Sequence, residues 1–200
     1  MINFVEDKCS NYQHRTFLNI ELSEITLAFA VDYTTAGERC TLNYAKICEK
    51  PIIQFTINEN GRLDASNKEK IEEAIKTIKS NNIGILNIAG NGIYTFNKHG
   101  ITQERVNELV TNVIDHLLKN SCNIKKIRSG GQTGADEAGL VAGDTFGIET
   151  VSFCPKGWRF RTADGEDVTS EERYKARFKN LIDDKSWTKI GWSAWYTIWL

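Results

Sequence analysis

The sequence predicts an α/β protein, a Rossmann-like three-layer fold in which helices cover both faces of a mainly parallel sheet of about five strands. Short apolar segments rich in β-branched residues recur along the chain and are typical of buried strands. Segments with apolar residues at helical spacing lie between them, and the connections are short. Alternation of this kind favours β-α-β units, which form parallel sheets.

Each predicted strand is a short apolar run that ends in glycine or polar residues. The predicted strands are residues 25–31, 52–57, 83–89, 124–127 and 149–153. Because the carboxyl ends of parallel strands meet at one edge of a sheet, the residues that follow these segments are expected to lie close together.

Each predicted helix is indicated by a different sequence feature. Apolar residues from Val106 to Leu118 recur at i, i+3 and i+4, which is the strongest helical pattern of the chain. Ser66 and Glu69 have the spacing of a capping box, which predicts a helix start at Ser66. Residues 38–49 form a shorter pattern. Residues 135–142 have a face of small side chains, which lets a helix lie close to a sheet.

Composition and charge exclude several classes of protein. The chain has 200 residues, of which 40% are hydrophobic, so one sizeable core is expected. A formal net charge of −1 provides no general basic field for nucleic acid. No apolar run approaches the roughly twenty residues of a membrane helix, and no secretory signal is visible. We therefore expect neither a membrane nor a nucleic-acid partner.

Cysteine usage points to the cytoplasm. The five cysteines are odd in number, none forms a C-x-x-C pair, and no histidine lies near them at zinc-ligand spacing. Reduced, mostly buried thiols in a cytoplasmic protein without a bound metal are the expectation.

The chain is predicted to have one domain with additions at both ends. Residues 23–184 form the domain, residues 1–22 an N-terminal extension and residues 185–200 an aromatic tail. Trp192, Trp195 and Trp199 in the tail have helical spacing. Packing on the domain or on a partner subunit is expected, which would make a homo-oligomer, and ligand stacking is the alternative.

The most informative segment is a glycine-rich turn between the fourth predicted strand and the next helix. Glycines let the backbone turn tightly and approach a ligand, and amides left free at a helix start favour an anion. The turn lacks the pattern of a P-loop or of a dinucleotide fingerprint. Its candidate ligand-binding residues are Ser129, Gly130, Gly131, Gln132, Thr133, Gly134 and Asp136.

Other strand ends add candidates of the same kind. A cationic segment follows the fifth strand and suits a phosphate-bearing ligand. Hydroxyl and glycine residues follow the first strand, and a Gly-Asn-Gly turn follows the third. The candidates are Lys156, Gly157, Arg159, Arg161, Thr34, Thr35, Gly37, Gly90 and Asn91. Asp136 and Glu137, in the first turn of the helix, are the candidates for catalysis.

Two of these segments resemble the signature of a known family. Ser129-Gly-Gly-Gln-Thr-Gly-Ala-Asp136, followed by Cys154-Pro-Lys-Gly157, resembles the "putative molybdenum carrier" family, also called circularly permuted YpsA-like. That family belongs to the SLOG superfamily of Rossmann-like nucleotide-ligand binders. In it the glycine signature comes first, and a strand like Leu86-Asn-Ile-Ala-Gly90 comes late. The order here is rotated, as a circular permutation would make it.

The resemblance implies three functions that the residues leave open. The leading one is a small-ligand binding protein, a carrier, sensor or sequestering protein for a nucleotide or nucleotide-derived phosphate ligand. The second is an N-glycosidase like the nucleotide phosphoribohydrolases of the superfamily, with Asp136 or Glu137 as the working carboxylate. The third is a carrier of molybdate or of molybdenum cofactor. The implied ligand is thus a nucleotide or an oxyanion such as molybdate.

Overall fold

The computed structural model describes residues 1–183 of the chain. Its strands are β1 (Ile2–Glu6), β2 (Ile25–Ala30), β3 (Ile52–Thr56), β4 (Ile85–Gly90), β5 (Lys126–Ser129), β6 (Glu149–Cys154), β7 (Arg159–Arg161) and β8 (Asp167–Thr169). Its helices are α1 (Tyr12–Glu21), α2 (Ala36–Ile47), α3 (Asn67–Ser80), α4 (Ile93–Asn97), α5 (Gln103–Lys119), α6 (Ala135–Thr145) and α7 (Glu171–Asp183). The aromatic tail and the oligomer expected from it lie outside the described residues.

Six strands form one sheet in the order β1-β6-β5-β4-β2-β3, and every neighbouring pair is parallel. This confirms the predicted α/β Rossmann-like fold. The sheet has one strand more than expected because β1 joins its edge beside β6. Polar Asn3 and Glu6 interrupt the apolar pattern of β1. This is possible because β1 is an edge strand and is only partly buried. Strands β7 and β8 form a separate antiparallel hairpin.

Residues 1–22 contribute to the sheet and to a helix layer. Strand β1 pairs with β6, and α1 packs on α2 through stacked rings of Phe17 and Tyr44, whose centroids are 3.9 Å apart. The division of the chain at residue 22 stays a prediction. The structure nonetheless places these residues in contact with the elements that follow residue 23.

The helix start predicted at Ser66 is confirmed, since Ser66 is the N-cap residue of α3, but the capping box expected there is wrong. The Ser66 side chain makes no cap hydrogen bond, and its backbone is already helical, with φ −62° and ψ −21°. The side chain of Asn67 instead accepts from Thr56 N at 2.9 Å and donates to Thr56 O at 2.7 Å. Helix α3 therefore begins by closing the end of β3, a long-range contact that local spacing cannot show.

Helix α6 lies unusually close to the centre of the sheet. A Cβ atom added at Gly139 would lie 2.4 Å from the Ile88 Cβ of β4. Every residue of α6 from Ala135 to Gly143 is buried, including Asp136 and Glu137. The small side chains predicted for this helix therefore bring its first turn against the ends of β4 and β5. Among the described residues, no helix is both long and apolar enough to serve as a membrane span.

Candidate functional site

A cleft of about 430 Å³ opens at the carboxyl ends of β2, β4 and β5. Strands β2 and β4 are neighbours, but the chain leaves β2 toward β3 at one edge and leaves β4 toward β5 on the other side. The two connections diverge there and leave a crevice between them, where ligands bind in open parallel sheets. The topology alone therefore favours this edge as the binding site.

Helix α1 presents a polar stripe to the cleft. Tyr12, Arg15, Thr16 and Asn19 are spaced i, i+3, i+4 and i+7, and all four line it. Arg15 is 7% exposed and Asn19 is 2% exposed. Tyr12 Oη, Arg15 Nε and Asn19 Oδ1 are buried, yet none has a hydrogen-bond partner in the described part of the chain. Because an unpaired buried polar atom is costly, three of them beside one cleft indicate a site for a polar ligand.

Arg15 fills the first part of the glycine-rich turn. A Cβ atom at Gly130 would lie 1.4 Å from Arg15 Nη1, so only glycine leaves room for the guanidinium there. Arg15 Nη1 donates to Asp136 Oδ2 at 3.0 Å, and both side chains are about nine-tenths buried. The turn thus holds a buried ion pair, and Arg15 places a cation in the cleft.

The sequence predicted free amides at this turn, and for three residues that expectation is wrong. Gln132 N donates to Asp136 Oδ2 at 3.2 Å, and Thr133 N donates to Gln132 Oε1 at 3.0 Å. Gly134 N donates to Gln103 Oε1 at 2.5 Å. Side chains that the sequence pattern does not reveal therefore occupy these donors.

The structure brings about half of the predicted ligand-binding residues to the cleft. The predicted residues that line it are Thr35, Gly37, Gly90, Gly130, Gln132, Thr133, Asp136 and Arg161. The predicted residues outside its lining are Thr34, Asn91, Ser129, Gly131, Gly134, Lys156, Gly157 and Arg159, together with Glu137. Their roles in binding stay predictions.

Several residues outside the lining hold the walls in place. Ser129 Oγ donates to Ile88 O at 2.8 Å, which joins the ends of β5 and β4. Asn91 Oδ1 accepts from Val31 N at 2.9 Å and from Asp32 N at 3.0 Å, which fixes the turn after β2. Glu137 pairs with Arg177 of α7 at 2.6 Å. Glu137 therefore faces α7, and of the two predicted catalytic carboxylates only Asp136 reaches the cleft.

The cationic segment lies beside the glycine-rich turn, as predicted, but only Arg161 of its three cations lines the cleft. Arg161 N donates to Gln132 Oε1 at 2.7 Å, and Thr133 Oγ1 donates to Arg161 O at 2.6 Å. Asp167 pairs with both Arg159 and Arg161. This pairing lowers the pKa of the Asp167 carboxyl to about 2.

Glu38 is a cleft residue that the sequence analysis did not select. It is 7% exposed and lies in the first turn of α2, where Glu38 N donates to Oγ1 of the N-cap residue Thr35 at 3.4 Å and the Thr35 hydroxyl donates to the Glu38 carboxylate. Burial raises the pKa of the Glu38 carboxyl to about 7; Asp136 and Asp32 add to this rise, and Asn91 opposes it. The available signal was the Thr-x-x-Glu spacing directly after a strand.

Burial also raises the pKa values of the other two carboxyls near the turn. For Asp136, the opposing influences are Arg15 and the Gln132 amide. For Glu137, the opposing influence is Arg177. Asp136 and Glu38, two carboxyls of raised pKa, thus line one cleft with Arg15, which pairs with Asp136. Within residues 1–183 no group of three or more His, Cys, Asp or Glu side chains could hold a metal ion.

Comparison with known families agrees with this architecture. The model of the circularly permutated YpsA SLOG family matches residues 2–114, which run from β1 into α5. The chain belongs to this family. The match begins within the segment that was expected to be an extension, and it ends before the glycine-rich turn at residues 129–134.

A solved structure is similar to part of this SLOG-family chain. The structure is the 1.45 Å crystal structure of a protein described as "Putative molybdenum carrier protein" from Syntrophus aciditrophicus SB. The two proteins are 20% identical in sequence. The match covers 60% of this chain and 77% of the Syntrophus chain, with a TM-score of 0.37. Curated proteins give no significant match.

Proposed function

We propose that this chain binds a phosphate-bearing small molecule, a nucleotide or a nucleotide-derived signal, in the cleft at the carboxyl ends of β2, β4 and β5. The observation that supports it most strongly is the set of buried, unpartnered polar atoms on the α1 stripe beside that cleft. Membership of a SLOG family supports small-ligand binding in general. The biological role would be that of a carrier, sensor or sequestering protein.

The cleft offers a group for each part of a nucleotide. Tyr12 and Tyr94 line it and bring to it aromatic rings against which a base can pack; Arg15 and Arg159 already lie over the Tyr12 ring, and Lys98 lies over the Tyr94 ring. Arg15 and Arg161 provide cations for phosphate. Asp136 and Asn87 provide oxygen acceptors for ribose hydroxyls. These groups come from separate elements, so a ligand that spans them all must be larger than a single oxyanion.

Size separates this proposal from the molybdate alternative. A cleft of about 430 Å³ lies within the range of pockets that hold small organic ligands. A tetrahedral oxyanion would fill a small part of it and leave the polar stripe of α1 unpaired. The geometry therefore favours a nucleotide over molybdate.

The test is equilibrium unfolding in the presence of AMP, ADP and molybdate in parallel. A ligand at a hundredfold its dissociation constant should raise the free energy of unfolding by about 2.7 kcal/mol. We expect at least one nucleotide to do so, and we expect molybdate at the same concentration to stabilise the protein much less than that nucleotide does. Stabilisation by molybdate alone would favour the carrier alternative, and no stabilisation by either nucleotide would contradict the proposal.

The two carboxyls in the cleft favour a second candidate, hydrolysis of an N-glycosidic bond. A protonated Glu38 could donate its proton to the base nitrogen as the bond to the ribose carbon breaks, while Asp136 accepts a proton from the water that attacks that carbon. Release of adenine from AMP, lost in both Glu38→Gln and Asp136→Asn, would support this reaction. AMP binding without adenine release would leave binding as the whole function.

A further inference from the structure

The cleft continues inward from the strand ends as a recess between α1 and α2. Its lining includes Asn87, which lies three residues before the end of β4, about 10 Å along the strand. It also includes Asn19, seven residues after Tyr12 in α1, and Thr41, six residues after the N-cap Thr35 of α2. Each of these spacings is about 10 Å along a helix axis. The site therefore has an inner part that the turns at the strand ends do not form.

Small side chains on one face of the sheet make room for this recess. Helix α6 packs on Ile88, whereas the adjacent residues Asn87 and Ala89 line the cleft with α1 and α2. Successive side chains of a strand point to opposite faces, so α1 and α2 cover the face opposite α6. On that face Ala28 of β2 pairs with Ala89, and Thr26 pairs with Asn87. Side chains of this size leave open the space that a leucine or isoleucine would fill.

The floor of the recess belongs to a polar row that crosses the sheet. Thr26, Asn87 and Arg128 lie side by side on β2, β4 and β5. Asn87 is 2% exposed, and its Nδ2 donates to Thr26 Oγ1 at 3.2 Å. Arg128 Nε is buried and has no hydrogen-bond partner within residues 1–183. Because a parallel sheet is ordinarily apolar on both faces, a polar row at its centre indicates a polar neighbour.

Independent evidence for a ligand comes from the wall that α1 forms. Asn19 is 2% exposed and lines the cleft, yet its Oδ1 has no donor among the residues that the structure describes. Arg15, one turn earlier on the same helix face, likewise has a buried Nε with no acceptor. An unsatisfied acceptor thus lies one turn from an unsatisfied donor. The complementary ligand group carries a hydrogen-bond donor close to an acceptor.

The base is the part of a nucleotide that fits this description at the inner end. The phosphate carries acceptors, and Arg161 of the β7–β8 hairpin offers it a cation beside Gln132 at the strand ends. With the phosphate there and the ribose in the middle, the group that reaches inward is the base. Adenine presents an amino donor beside a ring-nitrogen acceptor. Hypoxanthine has an oxygen in place of that amino group, and this oxygen would face Asn19 Oδ1.

We infer that the recess between α1 and α2 holds the base of the nucleotide, and that Asn19 Oδ1 accepts a hydrogen bond from the amino group of that base. Asn19 is then a specificity-determining residue, and the chain prefers adenine to hypoxanthine. This inference rests on the proposed function for the nature of the ligand. It adds which part of the nucleotide lies inward and which base is selected.

The first test is calorimetric titration of the wild type with AMP, inosine monophosphate (IMP), ribose 5-phosphate and adenosine. AMP should bind roughly tenfold to a hundredfold more tightly than IMP, because IMP leaves the Asn19 oxygen without a donor and places another oxygen against it. Ribose 5-phosphate, which lacks the base, should bind more weakly than AMP. In NMR titrations the side-chain amide signals of Asn19 and Asn87 should shift with AMP and much less with ribose 5-phosphate.

Two matched variants locate the effect. Asn19→Leu should bind AMP no more tightly than the wild type binds ribose 5-phosphate, while its affinity for ribose 5-phosphate should change by less than about twofold. Asn112 of α5 is the control, since its Nδ2 is also buried without a partner in the described part of the chain, but it lies outside the lining of the cleft. Asn112→Leu should leave the affinity for AMP unchanged.

The outcomes separate this inference from the proposed function. Equal affinity for AMP and IMP, or an equal loss of AMP and ribose 5-phosphate binding in Asn19→Leu, would overturn the inference and leave the proposed function intact. Binding of adenosine without binding of AMP would uphold the base recess and overturn the proposed function. No binding of any of the four compounds would overturn both. The comparison of AMP with IMP uses the wild type, so it stands even where a variant fails to fold.

Discussion

Individual buried polar residues give the cleft its chemical character. Asn19, Arg15 and Glu38 are each less than about a tenth exposed, and neither Asn19 nor Arg15 belongs to a recognisable motif. Each has a cost for the ligand-free protein, either an unpaired atom or a displaced protonation equilibrium. When a buried polar residue destabilises the protein and no interaction within the protein compensates for this, binding of a ligand next to it is the best explanation.

Asn19→Leu separates stability from binding. Leucine has a similar shape, favours the helix more and removes the unpaired Oδ1, so the free energy of unfolding should rise by about 1 kcal/mol in the absence of ligand. The same change should abolish stabilisation by the nucleotide that protects the wild type. Urea denaturation with and without nucleotide measures both effects. A destabilised variant that still binds would contradict the role given to Asn19.

Glu38→Gln should remove a pH dependence of folding. In the unfolded chain the Glu38 carboxyl has its ordinary pKa of 4.5, and in the fold its pKa is about 7. Between these values the folded state holds a proton that the unfolded state has lost, so the free energy of unfolding falls as pH rises. Above pH 7 the full cost of about 3 kcal/mol is present. Denaturation across pH 4 to 8 should show that the free energy of unfolding of the variant increases relative to that of the wild type as pH rises. A difference between the two proteins that stays constant with pH would contradict this prediction.

The Arg15–Asp136 pair should behave as a coupled unit. Arg15→Met leaves a buried carboxylate without its partner and should cost about 3 to 5 kcal/mol. Adding Asp136→Asn removes that charge and should recover at least half of the loss. A double-mutant cycle by urea denaturation measures the coupling. Strictly additive losses would show that the two residues act separately.

At the scale of elements, close packing of α6 on β4 positions the site. The small residues of α6 let its first turn reach the ends of β4 and β5, which brings Asp136 to Arg15. The sequence predicted this helix and its small face correctly because spacing and residue size are local properties. It placed the start of α3 at Ser66 correctly but not the hydrogen bonds there, since Asn67 bonds to Thr56, which lies eleven residues earlier in the chain.

Two glycines within helices should respond oppositely to alanine. A methyl group at Gly139 meets Ile88 Cβ at 2.4 Å, and overpacking of this kind should cost about 2 to 3 kcal/mol. A methyl group at Gly37 meets no atom within 4 Å, so Gly37→Ala should stabilise the protein by up to about 1 kcal/mol through helix propensity. Thermal unfolding of the two variants makes the comparison. Equal effects would contradict the close approach of α6.

At the scale of the whole molecule, the sheet order predicts the edge that carries the cleft better than any motif does. Alternating strand and helix patterns were sufficient to predict the fold class, and strand ends were sufficient to predict Thr35, Gly90, Gly130 and Arg161 at one cleft. The sequence could not show that Arg15 occupies the turn, because that contact joins residues 121 positions apart.

Two further features stayed hidden in the sequence for physical reasons. Strand β1 is at an edge, so its polar residues mask its apolar pattern. The α1 stripe is polar at helical spacing, a pattern that solvent-exposed helices share. A polar stripe is informative only after the fold shows that it faces a cleft.

Mass spectrometry of small molecules released from the purified chain and from Asn19→Leu tests the central claim most directly. If the cleft holds a nucleotide-derived ligand, the wild type should release a phosphate-bearing nucleotide and the folded variant should release little or none. Release of no such molecule from either protein, or of equal amounts from both, would contradict the assignment of ligand binding to this cleft.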